Sequence, residues 1–183
     1  MDSNIINEIE AIQQDFYSKN GKNLIQKKNQ KNDLAILVSN EIDLNRLFNK
    51  MCFVIKGTNK IVIDYNIFKS FVHNENYKEV IDSIISIIKN CIKENSNFEL
   101  NLNINGFTIS AAERYKDAIL YFTEITAQTE LSNVLNIMNI YFPPVIIDQL
   151  KVYFLKFIHP EVKKRINIIS KKDSEESWNS LFN

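Results

Sequence analysis

From residue 50 onward the chain alternates short β-like runs with long helical stripes, and few folds accept that order. Phe98, Leu100, Leu102 and Ile104 alternate with Glu99, Asn101, Asn103 and Asn105, the period of a strand with one apolar and one polar face. Before it, Tyr77, Val80, Ile81, Ile84, Ile85, Ile88, Cys91 and Ile92 make a broad helical face across residues 75–93, suited to lying on a sheet. After it, Tyr115, Ala118, Ile119, Phe122 and Ile125 continue a helical stripe behind Ser110 and Glu113, which are spaced as a capping box. Val134 to Tyr141 reads as an inner strand. Pro143-Pro144 stops it and opens a helix to about Ile158, and Arg165 to Ile169 is a last strand. Strands separated by such helices need crossover connections, which run the strands parallel with helices packed on them. Upstream, Cys52–Ile55 and Lys60–Asp64 flank Lys56-Gly57-Thr58-Asn59 as a hairpin. The fold class is therefore α/β, a mostly parallel mixed sheet flanked by helices.

Ile5, Ile9, Ile12 and Phe16 form one helical stripe over residues 3–19, capped by Asp2 or Ser3 and stopped at Asn20-Gly21. Lys22 to Asp33 is rich in Lys and Asn and reads as a solvated connection. Leu34 to Val38 is an apolar run that fits strand or buried helix, and Leu44, Leu47, Phe48 and Met51 return to helical spacing. This divides the chain into an N-terminal helical segment, 1–49, and an α/β domain, 50–183. After Ser170 a polar segment ends in Trp178, Leu181 and Phe182, a short helix docking by those side chains.

Composition removes several function classes. Only three glycines occur, at 21, 57 and 106, too far apart for a phosphate-cradling loop, so nucleotide fingerprints are excluded. Cys52, Cys91, His73 and His159 lack paired ligand spacing, so no zinc site is expected and no other metal or cofactor is implied. The formal charge is zero, which argues against nucleic acid as a partner. Two cysteines without a framework fit a reducing, cytoplasmic setting, and no run approaches 18 uninterrupted apolar residues. His73 and His159 have no nucleophile or acid arranged around them in sequence, so no catalytic residue is assigned and a non-enzymatic role is expected.

The most informative segment runs from Ile140 to Ile158. Val145, Ile146, Ile147, Leu150, Val152, Tyr153, Phe154, Leu155, Phe157 and Ile158 spread almost all round the helix, whereas packing on one side needs only a stripe. Either it is fully buried, or one face meets the sheet and another a bound apolar ligand or a bilayer surface. Lys163, Lys164 and Arg165 follow it; they suit a solvated turn or anionic lipid headgroups. Asn101, Asn103, Asn136, Asn139 and Asn167 fall within strands, where asparagine is depleted. Codon bias toward Asn explains them, as does a polar sheet floor.

The order of these elements over residues 50–182 resembles the CRAL-TRIO lipid-binding domains, in their divergent branch. Strand 98–104 leads through Asn103-x-x-Gly106 to the helix of Ser110 to Ile125, with Asn103 where the family has an acid. The strand ending near Tyr141, the proline pair and the apolar helix that follows are similar to the family's lid over its pocket. Lys156-Phe157-Ile158 before Arg165-Ile166, then an acidic helix from Asp173 to Leu181, complete the likeness. It implies an apolar cavity under the lid that binds a phosphoinositide or another small lipid, with transient contact to membranes. Tyr141, Ile146, Leu150, Phe154 and Phe157 would line or close it, Phe107 and Tyr115 would form the far wall, and Lys163, Lys164 and Arg165 would meet the headgroup or membrane. The competing reading is a protein-interaction module that pairs with a partner or a second copy through Ile5, Ile9, Ile12 and Phe16.

Overall fold

A computed structural model of the chain describes residues 3–22, 27–129, 131–155 and 158–183. Three helices come first: α1 (Ser3–Asn20), α2 (Lys27–Glu41) and α3 (Leu44–Met51). Gly21 ends α1 at φ +63°, its N–H donating to the Tyr17 carbonyl at 3.0 Å, a left-handed position that glycine adopts without strain. The polar stretch expected to be a solvated connection is instead, from Lys27 on, the first two turns of α2. Leu34, Ala35 and Val38 bury its second half, and this packing carries the polar turns into helix against weak local preference. Asp43 caps α3 through an Oδ1 that accepts from the Arg46 N–H at 2.9 Å. The Arg46 guanidinium grips Glu8 of α1 with two bonds of 3.1 and 3.0 Å.

The sheet contains β1 (Cys52–Val54), β2 (Lys60–Asp64), β3 (Phe98–Asn103), β4 (Leu135–Tyr141) and β5 (Ile166–Ile168), in that spatial order. β1 and β2 are an antiparallel hairpin, and the other pairs are parallel. Between β2 and β3 lie α4 (Tyr65–Phe71) and α5 (Tyr77–Asn95); between β3 and β4 lie α6 (Ile109–Arg114), α7 (Lys116–Gln128) and α8 (Leu131–Val134). The chain then forms α9 (Ile147–Leu155), α10 (Pro160–Lys164) and, after β5, α11 (Ser174–Ser180). The single long helix expected after β3 is broken at Tyr115 (φ −99°, ψ 14°). Its cap is Thr108, whose Oγ1 accepts from the Ala111 N–H at 3.2 Å, rather than Ser110. The helix expected to open at the proline pair begins three residues later at Ile147.

Strand parity sorts the side chains. Leu100 pairs with Ile61 and Met138, and Ile140 with Leu102 and Ile168, so these share one face with α5 and α7. The register shifts beside Phe98, so Leu135 and Met138 share that face despite their odd spacing. The other face carries Asn101, Asn103, Asn139 and Asn167 beneath α11. Trp178 of α11 meets the rings of Tyr141 and Phe142 at 5.1 and 6.3 Å, and Phe182 lies 6.4 Å from Phe53.

Ile5 and Ile9 of α1 and Leu34 and Val38 of α2 belong to the same buried cluster as Met51, Cys52, Ile61 and Phe71, with Ile12 and Phe16 packed against it. The apolar stripe of α1 is thus covered within the chain. Cys52 and Cys91 are free and buried, and burial pushes the Cys52 thiol up to about 12.

Candidate functional site

An apolar cavity of about 330 Å³ lies between the sheet and α4–α9. Its floor is Leu100 and Leu102 of β3, Met138 and Ile140 of β4, and Ile166 and Ile168 of β5. Leu102, Met138, Ile140, Ile166 and Ile168 are only half-buried despite facing the helices, because no described side chain fills the space above them. Phe122, Thr123 and Thr126 of α7 form one side, and Ile147 and Leu150 of α9 close the top.

The far wall is an aromatic cluster. Tyr65 meets Phe107 at 4.9 Å and Tyr115 at 6.2 Å, and Phe68 meets Tyr115 at 5.0 Å, all edge to face, the arrangement that ring quadrupoles favour. The Tyr115 hydroxyl donates to the Lys69 carbonyl at 3.3 Å. Burial raises the Tyr115 phenol well above its ordinary range, with Arg114 opposing. Lys69 stands over the Tyr65 ring, 5.3 Å from its centroid, and its ammonium donates to Asn66 Oδ1 at 2.7 Å. Burial holds that ammonium below the usual lysine value.

Of the residues that the sequence placed at the pocket, Phe107, Tyr115 and Leu150 line this cavity. Ile146 is half-buried outside the lining, where its neighbour Ile147 takes the place. Phe157 and the side chain of Phe154 lie outside the described residues. Tyr141 is on the opposite face. It pairs with Asn103 in the sheet, its ring packs on Trp178, and its hydroxyl donates to Asn101 Oδ1 at 3.2 Å. Arg165 donates through Nη1 to the backbone carbonyls of Ser132, Asn133 and Leu135 at the end of α8, which gives it a structural role there. Lys164 pairs with Glu161 at 2.7 Å, and Lys163 is exposed.

Sequence reasoning missed Met138, Ile140, Ile166, Ile168, Phe68 and Phe122 as lining. The period of two along β4 and β5 carried the signal for the first four.

The strand asparagines form a ladder on the other face. Asn167 Nδ2 donates to Asn139 Oδ1 at 2.9 Å, and Asn139 Nδ2 to Asn101 Oδ1 at 3.1 Å. Asn103 Nδ2 donates to Asp64 Oδ2 at 3.3 Å. The carboxamides satisfy one another across the strands, which lets Asn101 be fully buried.

A second, polar cavity of about 600 Å³ shares Tyr115 and Ala118 with the apolar one and gathers His73 with Asp33, Glu113, Arg114 and Asp117. His73 Nδ1 accepts from the Glu75 N–H at 3.3 Å, so Nε2 carries the proton and faces Ser39 Oγ at 3.3 Å. The Ser39 hydroxyl itself donates to the Ile36 carbonyl at 2.8 Å. The imidazole donates to the serine, opposite to the polarity that activates a nucleophile. Burial lowers the His73 pKa, with Glu75 opposing.

Among the described residues no group of three or more His, Cys, Asp or Glu side chains could hold a metal ion, and no helix is long and apolar enough to cross a membrane. No protein-family model matches the chain, and no curated protein matches it.

Proposed function

We propose that this chain is a non-catalytic, CRAL-TRIO-like module that binds a small apolar molecule in the cavity over the sheet. The observation that carries the reading is a space left among the described side chains of the core. Side chains at the centre of a five-stranded sheet keep partial exposure toward a space of about 330 Å³ walled almost entirely by carbon. Protein interiors are otherwise close-packed, and cavities of this size and polarity bind small ligands. At about 30 Å³ per water-sized group, the space takes roughly ten methylenes. Two acyl chains, about thirty methylenes, need roughly three times as much on the same scale, so the volume favours one chain over a phosphoinositide. Burying ten methylenes gains roughly 8 kcal/mol, of which association consumes about 4 kcal/mol or more.

Ligand exchange through the α9 side is favoured by Val145 and Val152, exposed at 96% and 79%. Valines left in water on the segment that closes the cavity suit transient contact with a membrane surface.

Native mass spectrometry and solvent extraction of the purified protein test the reading. An apolar co-purifying molecule is expected, together with binding of the neutral dye N-phenylnaphthylamine. Ala118→Leu, which places three more carbons at the cavity wall, is expected to weaken dye binding about tenfold and to stabilise the fold by about 2 kcal/mol. No bound molecule, no dye signal and a destabilised Ala118→Leu would together refute it. Sedimentation with phosphatidylserine vesicles, compared between wild type and Val145→Glu/Val152→Glu, tests the membrane contact. Equal sedimentation of the two would remove it.

A further inference from the structure

Resting on the cavity as a ligand site, we propose that its ligand is a single-chain monoanionic amphiphile of about ten carbons, with its carboxylate held by Lys151 and His159. The cavity offers charge at few places. Lys151 of α9 is the one residue with a full charge among its described lining residues, and His159, at the start of α10, lies against the same space.

The remaining polar groups offer little to a head. The Thr123 and Thr126 hydroxyls donate to the carbonyls of Leu120 and Phe122 at 2.8 and 2.9 Å, and the Tyr115 hydroxyl to that of Lys69. Ser132 and Tyr65 add hydroxyls without charge. A charged head therefore meets no charged lining residue against β3 or the aromatic wall, where an unpaired ion would be desolvated.

Lys151 and His159 both have groups that can turn to a ligand. The Lys151 ammonium pairs at 3.3 Å with Asp148, whose side chain is 87% exposed, and so open a pair holds it weakly. His159 caps α10 through Nδ1, which accepts from the Glu161 N–H at 3.3 Å. In the neutral ring this leaves the proton on Nε2, which has no hydrogen-bond partner among the described residues. A cation and an N–H donor that line one carbon-walled space and reach solvent match one carboxylate, whose two oxygens accept from both. The single positive charge matches a monoanion better than a phosphate monoester.

Displacement of N-phenylnaphthylamine from the full chain by decanoate, decanol and decylamine tests the assignment. Decanoate is expected to compete at about tenfold lower concentration than decanol, with decylamine the weakest. Lys151→Met keeps the apolar stem and should bring decanoate and decanol to parity. His159→Asn keeps a capping side chain and should cost decanoate about threefold, while Lys163→Met should change nothing. Equal competition by decanoate and decanol in wild type, or a preference that survives Lys151→Met, overturns the head assignment and leaves the cavity reading standing. If wild type binds no dye and neither decanoate nor decanol, both proposals fall.

Discussion

Tyr141 is the residue whose position most separates a reading of the sequence from the folded chain, and a double-mutant cycle with Asn101 isolates its role. In Tyr141→Phe the ring keeps its contact with Trp178 while the hydroxyl bond to Asn101 Oδ1 is lost. Asn101 still accepts from Asn139, so nothing is orphaned, and the cost should be about 1 kcal/mol. Asn101→Ala is harsher. It strands the hydroxyl of a tyrosine that is 3% exposed, worth about 1–3 kcal/mol, and it also leaves the carboxamide's volume unfilled, for a total of about 3 kcal/mol. In the Asn101→Ala background, Tyr141→Phe then removes an orphan and should be neutral or restore about 1 kcal/mol. Urea denaturation reads all four corners. With a slope of about 2 kcal/mol per molar, the Asn101→Ala midpoint falls by roughly 1.5 M. Dye titration of Tyr141→Phe should match wild type, because the phenol faces away from the cavity. Equal costs of Tyr141→Phe in both backgrounds, or a changed dye affinity, would refute the placement.

Arg165→Ala should lower stability by about 2–3 kcal/mol through the three carbonyls it leaves behind, without altering binding to anionic vesicles; a vesicle-binding defect at unchanged stability would contradict this. For His73, burial depresses the folded-state pKa below 6.5, so the unfolded chain binds the proton more readily. Its stability contribution is present above about pH 6.5 and is lost as pH falls through the folded value. Denaturation midpoints of wild type should therefore fall more than those of His73→Asn between about pH 7 and pH 5, and parallel profiles would sink the assignment. Cys52, held at about 12 by burial, should resist thiol reagents in the native protein and react at once in urea. Labelling at native rates equal to those in urea would show that the strand is exposed.

The parts legible in the sequence are those long enough to show a period. The hairpin, α5 and β3 each repeat their pattern over several residues, and no competing contact alters it. Helices α4, α8 and α10 have seven, four and five residues, which is too short for a stripe. They form because Asp64 and His159 cap α4 and α10 and because Arg165 closes α8. The polar start of α2 was illegible because tertiary packing of Leu34 and Val38 decides it. The pocket was legible as an apolar excess around α9. Its floor was legible only as a period of two, because the period separates the faces of β4 and β5 without saying which side the helices take. Tyr141 follows Asn139 by one strand period and so belongs with the carboxamides, a parity that the proline pair beside it obscured.

The strands lie side by side in the order in which they leave the ribosome. Each new strand can join an edge already formed, with its helix folding onto a layer already present, so most of the sheet grows by local closure. Helix α11 packs on the far face and follows all five strands. Before α11 packs there, carboxamide rows on that face tolerate water where further valines would invite another chain. The asparagine ladder thus leaves the far face of the sheet compatible with water as well as with α11.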